Sequence, residues 1–347
     1  MEQDFDEQEY ARRLVELGAE PKQAVDVARR MAESKSEAVE QVTASEAMPK
    51  DKSKQPKERS LSAQKAKLVE SSADMYGNPP TGNDMAFSHA VFCQVGLPRS
   101  KVEGREFLRQ SGAAWVNIQA GYLDEGNGPV QQPIPYGALP RLALAHVSTY
   151  AVRFKTREIP VGDSASQFLE LMGMDHDGRR YANLRKQMHA LAACRLQMGY
   201  KGRTFNGQAV EQFDAWIASK GSSQRPLWPG VMTLSEPFYN SLIDASVPLD
   251  KRALHALKGS ALALDVYSWL AQRLHRIDGR GVNLRWASLR EQFAHEYTGK
   301  DADKNFKDAF ITQLPKVLAA YPQARVKQVR GGLLLLGSPP PVPYKLI

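Results

Sequence analysis

One order of elements runs through this sequence twice, and it restricts the fold more tightly than any single motif. In the first pass, Pro135-Tyr-Gly-Ala-Leu-Pro140 opens an apolar helix through Leu142, Leu144, Val147 and Ala151, and Ile159-Pro-Val-Gly162 reads as a short strand. Asp163 or Ser164 supplies an N-cap for a helix over Ala165–Met172, since either side chain can accept from first-turn amides. The turn Gly173–Gly178 leads into a helix from Arg179 to about Cys194. A β-ribbon follows, built from Arg195–Tyr200, the Lys201-Gly-Arg turn and Gln208–Ser219. The second pass has helices over 236–243, 249–257 and 261–276, a strand over 282–285, and helices over 287–297 and 304–321. It closes with a ribbon over 324–329 and 333–336, folded at Gly331-Gly332. Helices, short strand, helix, turn, helix and two-stranded ribbon make the layout of a winged helix. The sequence therefore predicts an α+β fold, mostly α, with two tandem winged-helix domains at 84–222 and 223–347. A half-buried strand over Ala113–Tyr122 belongs to the first.

Ahead of these modules lie a short helical head and a flexible linker. Residues 1–34 read as two short helices, with Tyr10, Leu14 and Leu17 on one face and Pro21 restarting the second. Residues 35–83 are rich in Lys, Ser, Gln and Pro and predict a largely disordered linker with one helix over 60–71. Charge divides at the same place. The first 48 residues hold six Lys and Arg against twelve acidic residues, so a chain of net +8 carries +14 over residues 49–347. A basic body suits a polyanionic partner, because cations placed on phosphates release condensed counterions. The polar, acidic start reads as no secretory signal, and no apolar run approaches a membrane span. Cys93 and Cys194 are far apart and outside any CxxC pair, which predicts reduced thiols in a cytoplasmic protein.

Two segments have the surface chemistry to meet DNA. In the helix after Gly178, Tyr181, Leu184, Met188, Leu191 and the stem of Arg195 follow helical spacing toward the core. Arg179, Asn183 and Lys186 line the other side, flanked by Arg185 and His189. From Arg179 to Phe205 the chain has no acidic residue, while Arg179, Arg180, Arg185, Lys186, Arg195, Lys201 and Arg203 are cationic. In the second half, Phe306, Phe310, Leu314, Val317 and Tyr321 make the buried stripe. Lys300, Lys304, Asn305, Lys307, Thr312 and Lys316 are the candidate contacts there, with Arg325, Lys327 and Arg330 on the ribbon. Asn and Arg or Lys suit bidentate reading of adenine and guanine edges in the major groove, and the cations also meet phosphates. Asp308 on the same face repels phosphates unless it accepts from a cytosine amine, and Pro315 predicts a kink.

No pattern specifies an active site. Asp301-Ala-Asp303-Lys-Asn305 opens like a calcium loop, but Phe306 stands where the turn needs glycine and Thr312 where a bidentate Glu is needed. Tyr297-Thr-Gly299-Lys300 has the outline of a phosphate loop, yet Asp301 replaces the magnesium-binding hydroxyl and Ala294 the required glycine. The seven histidines are scattered without a zinc spacing, and no GxSxG elbow occurs. The expectation is a protein without catalysis, metal or cofactor.

The same segments resemble the plasmid-encoded RepA-type replication initiators, the family with the RepA C-terminal domain. The resemblance spans roughly residues 84–343 and rests on IPYGALPRLALAHVSTYAV (134–152), IPVGDSASQFLELMGM (159–174) and LRKQMHALAACRLQM (184–198). It rests equally on LSEPFYNSLIDASVPLDKRALHALKGSALALDVYSWLAQRL (234–274), LRWASLREQF (284–293) and VLAAYPQARV (317–326). It implies tandem winged helices bound to double-stranded DNA at repeated origin sequences (iterons). It also implies recruitment of the host replicative helicase and chromosomal initiator, and a homodimer in equilibrium with monomer whose dimeric form represses its own gene. A winged-helix transcriptional repressor without an initiation role is the alternative.

Overall fold

The computed structural model describes residues 72–343, except 74, 163, 175–177, 214–215, 217–229 and 295–298. The helical head and most of the linker lie outside the described residues. The linker's last part does not fit the expected disorder. Residues 75–77 are helical, Met75 is buried, and the backbone carbonyl of Asn78 accepts from Arg252, so the ordered body begins before Asp84.

The body opens with β1 (Met85–His89) and α1 (Ala90–Val95), followed by β2 (Glu106–Ser111) and β3 (Ala114–Gln119). The small hairpin of β4 (Tyr122–Asp124) and β5 (Pro129–Gln131) comes next. The first pass of the repeat is then α2 (Ala138–Phe154), β6 (Glu158–Pro160), α3 (Ala165–Leu171), α4 (Gly178–Ala193), β9 (Val210–Phe213) and β10 (Val231–Leu234). Between α4 and β9 a further hairpin is inserted, β7 (Arg195–Tyr200) with β8 (Arg203–Gln208). The connection α5 (Glu236–Asp244), β11 (Ser246–Asp250) and α6 (Lys251–Ala256) leads to the second pass. That pass is α7 (Ala261–Arg273), β12 (Val282–Arg285), α8 (Trp286–Ala294), α9 (Ala302–Ala320), β13 (Val326–Val329) and β14 (Gly332–Leu335).

The two passes share strand order as well as element order. Their antiparallel sheets run β6–β10–β9 and β12–β14–β13, with the last strand central in each. Three sequence expectations need correction here. Arg195–Tyr200 pairs with Arg203–Gln208, not with 208–219, because the left-handed Lys201 and Gly202 close a tight turn at once. That hairpin joins β2 and β3 in a four-stranded sheet, and the small sheet of the first pass is closed instead by β9 and β10. β10 lies beyond the expected division at 222/223, so the first pass ends near residue 234. Third, the helix expected over 249–257 is split. Ser246–Asp250 pairs with β1, and the Asp250 carboxylate then caps α6 by accepting from the Arg252 amide.

Local chemistry sets the helix starts. Ser164, Ser235 and Ser260 each accept from an amide three residues on, at the heads of α3, α5 and α7. Each such cap stabilises its helix by about 1 kcal/mol. The halves are sewn together by the β1–β11 pair and by a buried ion pair. Arg141 on α2 donates through Nε and Nη2 to both oxygens of Asp265 on α7, at 2.6 and 2.7 Å. In the second pass Phe293, Phe306 and Trp286 pack edge-on or tilted against Phe310, and Trp269 packs edge-on against Phe293, with ring centroids 5.2–6.0 Å apart. Cys93 and Cys194 are free and wholly buried, and burial pushes both thiols up to about 12. No helix among the described residues is long and apolar enough to cross a membrane.

His89 gives the fold a pH dependence. Its Nδ1 accepts from the Val91 amide and caps α1, which leaves the ring proton on Nε2, 3.0 Å from the Ser241 hydroxyl. Burial pushes its pKa down to about 4 from 6.5. Below about pH 6.5 the unfolded chain takes up a proton that the folded chain refuses. Stability is therefore complete above that pH and falls as the pH drops toward 4. At pH 5 the loss from this residue is about 2 kcal/mol. Urea titrations at pH 7.5 and 5.0 should show His89→Asn, which keeps a cap acceptor, with a smaller acid loss than the unmodified chain; equal losses would refute the assignment.

Candidate nucleic-acid interface

The first candidate surface lies on α4, which packs against α2, α3 and β9. Leu184, Met188 and Leu191 turn inward, as the spacing predicts, and Gln187 is buried with its Oε1 accepting from the Tyr136 amide at 2.7 Å. Only the N-terminal half of α4 faces outward. Arg179, Asn183 and Lys186 are exposed one turn apart, and Arg180 and Arg185 are half-buried. Two further corrections belong here. His189 is buried instead of flanking the outer face, and its Nδ1 stands 3.2 Å from Glu125. Arg195 is exposed on β7 instead of packing its stem along α4.

Glu125, from the β4–β5 hairpin, was invisible to the count of acids between Arg179 and Phe205. Burial pushes its pKa up, but hydrogen bonds from Gln132 and His189, with the positive field of Arg185, bring it below the usual carboxylate range. Burial pulls the His189 pKa down and Glu125 offsets part of that. Arg185 thus lies in the field of a carboxylate supplied across the fold.

The remaining first-half cations sit on the inserted hairpin, not on the α4 face. Arg195 donates to Asn206 Oδ1 at 3.1 Å on the exposed face of the four-stranded sheet. Lys201 is at the hairpin tip with its ammonium 5.4 Å from the Tyr200 ring centre, and Arg203 makes an exposed 3.4 Å pair with Asp244. One segment of sequence therefore presents two separate cationic groups.

The second surface is more coherent. The buried stripe of α9 is as read: Phe306, Phe310, Leu314, Val317 and the following Tyr321 are all buried, and the Tyr321 hydroxyl donates to the Pro339 carbonyl at 2.6 Å. Lys304, Asn305, Asp308 and Thr312 are exposed, Lys307 and Lys316 half-buried, and Lys300 exposed just ahead of the helix. The Lys307 ammonium lies 6.0 Å from the Trp286 ring centre, and the Thr312 hydroxyl donates to the Asp308 carbonyl. Asp303 on the first turn favours the helix dipole and is neutralised by Arg290 at 2.6 Å, while exposed Asp301 at the N-cap and Asp308 on the helix oppose phosphate contact. Pro315 does not break the helix. It lies on the exposed side, where the missing amide costs one internal hydrogen bond while Val317 and Ala320 keep the following turn packed.

Following α9, the β13–β14 hairpin exposes Arg325 at its open end, Lys327 midway and Arg330 beside Gly331, whose φ of +87° closes the tip. Gly332 is required by close approach: a Cβ there would stand 1.8 Å from the Leu284 carbonyl oxygen. The register sets Asn283, Leu334 and Lys327 side by side across the sheet, with exposed Arg285 two residues along from Asn283. Arg285 and Asn283 extend the cationic hairpin face and were missed from sequence. The alternation of Val282-Asn-Leu-Arg285 carried the signal.

Comparisons with known proteins bear on this arrangement. Residues 134–288 match the family model described as plasmid encoded RepA protein. That stretch runs from just ahead of α2 into α8 and so takes in all of the first pass and the joining segment, while α9 and the β13–β14 hairpin lie beyond it. No curated protein matches the chain. Among solved structures, the crystal structure of selenomethionine derivatives of domains 2 and 3 of RctB is similar, with a TM-score of 0.46 and 11% identity over 72% of this chain and 99% of that one. A second crystal structure of RctB domains 2–3 gives 0.43 and 11%, over 71% and 94%.

Proposed function

We propose that this chain is a plasmid replication initiator that binds its origin through two winged-helix modules and acts without catalysis. The RepA family match over 134–288 carries the reading. The shared strand order of the two small sheets supports the fold assignment, with α4 and α9 as the recognition helices and the β13–β14 hairpin as a wing. The DNA-contacting residues on this reading are Arg179, Arg180, Asn183 and Lys186 on α4, Lys304, Asn305, Lys307 and Lys316 on α9, and Lys300 just ahead of it. Arg285, Arg325, Lys327 and Arg330 serve the wing. Cationic groups meet phosphates and fix register, and Asn183 and Asn305 are placed for base edges. The sites are repeated origin sequences, and the bound protein promotes melting and recruits the host helicase and chromosomal initiator.

A repressor built on the same modules would bind the same DNA. The distinguishing experiment is replication itself. A selectable circle carrying only this gene and its flanking repeats should establish in the host, and the Lys304→Ala/Lys327→Ala/Arg330→Ala variant should fail to establish. Repeats that are bound tightly but never replicated would favour the repressor.

A further inference from the structure

A cavity of about 150 Å³ opens between α2, β1, the end of α3 and α6, outside both candidate DNA surfaces. Its walls are apolar, formed by Leu142, Ala145, Met85, Met172, Met174 and Leu254. The charged groups among its described lining are all basic, and no carboxylate lines it. Lys251 is exposed at the mouth. Arg153 is held there by donating to the Gly82 and Met85 carbonyls. The nearby Asp84 accepts from the Thr81 amide and hydroxyl at 2.8 and 2.7 Å, and its carboxylate lies in the field of Arg252 and Lys251, offsetting part of the positive charge at the mouth.

One wall group is polar and unengaged. His146 packs its ring edge on Phe168, with centroids 5.4 Å apart, and among the described residues no hydrogen-bond partner reaches either ring nitrogen. Burial, with Lys251 nearby, pushes its pKa down to about 4, so at neutral pH it is an uncharged imidazole with a proton to give. An apolar cavity of this size holds a body as large as a benzene ring. A donor on its wall and cations at its mouth select what such a body must carry.

We infer that this cavity binds a small amphipathic carboxylate, with a short alkyl or aryl body against Leu142, Met172 and Leu254 and its charge at the Lys251–Arg153 mouth. Neutral apolar molecules forgo the mouth, and cationic ones are repelled by it. Because α2 belongs to the first pass and α6 to the segment joining the second, the ligand touches both.

The full chain, labelled with ¹³C at its methionine methyls, provides the test. Sodium octanoate should shift the Met85, Met172 and Met174 signals saturably and leave the other methionines in place. n-Octanol should bind at least about ten-fold more weakly, and Lys251→Glu, an exposed change that leaves packing alone, should weaken octanoate by about the same factor while sparing octanol. No saturable shift up to ~10 mM would overturn the proposal. So would equal binding of octanol and octanoate, or shifts spread over all methionines.

Discussion

Asp265→Ala is expected to lower the unfolding free energy by about 3–5 kcal/mol, because it strands a buried guanidinium. Both side chains of the pair are nearly inaccessible, at 9% for Arg141 and 6% for Asp265. Arg141 also donates to the carbonyls of Leu97, Pro98 and Gly137, so it cannot swing out to water without abandoning the loop after α1. The cost falls on the seam between the passes, since the pair joins the first helix of one to the first helix of the other. Urea unfolding followed by circular dichroism would measure it. Replacing both partners with apolar residues should not restore full stability here, because three backbone carbonyls would lose their donors. A loss below about 1 kcal/mol for Asp265→Ala would show that the carbonyls alone hold Arg141 and that the carboxylate is dispensable.

The second large effect is on binding. If six to ten phosphates are neutralised by the α4, α9 and hairpin cations, affinity for origin DNA should fall by about 10³–10⁵ between 50 and 200 mM salt. The two surfaces need not contribute equally. Arg195, Lys201 and Arg203 sit on a separate hairpin, so the exposed or half-buried candidate cations on α4 itself are Arg179, Arg180 and Lys186, with Arg185 in the field of Glu125. The α9 and hairpin surface offers more exposed cations and a fully buried aromatic stripe behind them. Neutralising Lys304, Lys327 and Arg330 should reduce the slope of log K against log salt by about 3, near one per lost phosphate contact. Neutralising Arg195, Lys201 and Arg203 should leave it nearly unchanged.

Where periodicity and capping act locally, the sequence was readable. Ser164 caps α3 as expected, the Leu184–Met188–Leu191 and Phe306–Phe310–Val317 stripes are buried, and Val282–Arg285 and the final ribbon fall within a residue or two of their expected places. What escaped depends on partners distant in sequence. Leu249 and Asp250 were read into a helix because they abut Ala253 and Leu254, yet they belong to the strand Ser246–Asp250, which pairs with β1 some 160 residues earlier. Strand β2 and helix α1 were not anticipated, and β10 was separated from its sheet by the expected division at 222/223. The site shows the same divide. Exposure of Lys304 and Asn305 followed from helical spacing, whereas burial of His189 depended on Glu125, which only the fold brings to α4.

The most direct test of the DNA-binding account is a gel-shift titration on the repeats beside this gene, run in parallel with scrambled duplex of equal length. The intact chain should prefer the repeats by at least about 10³-fold, and Lys304→Ala/Lys327→Ala/Arg330→Ala should lose most of that affinity with no change in its urea midpoint. Equal affinity for repeats and scrambled duplex, or full binding by the triple variant, would contradict it.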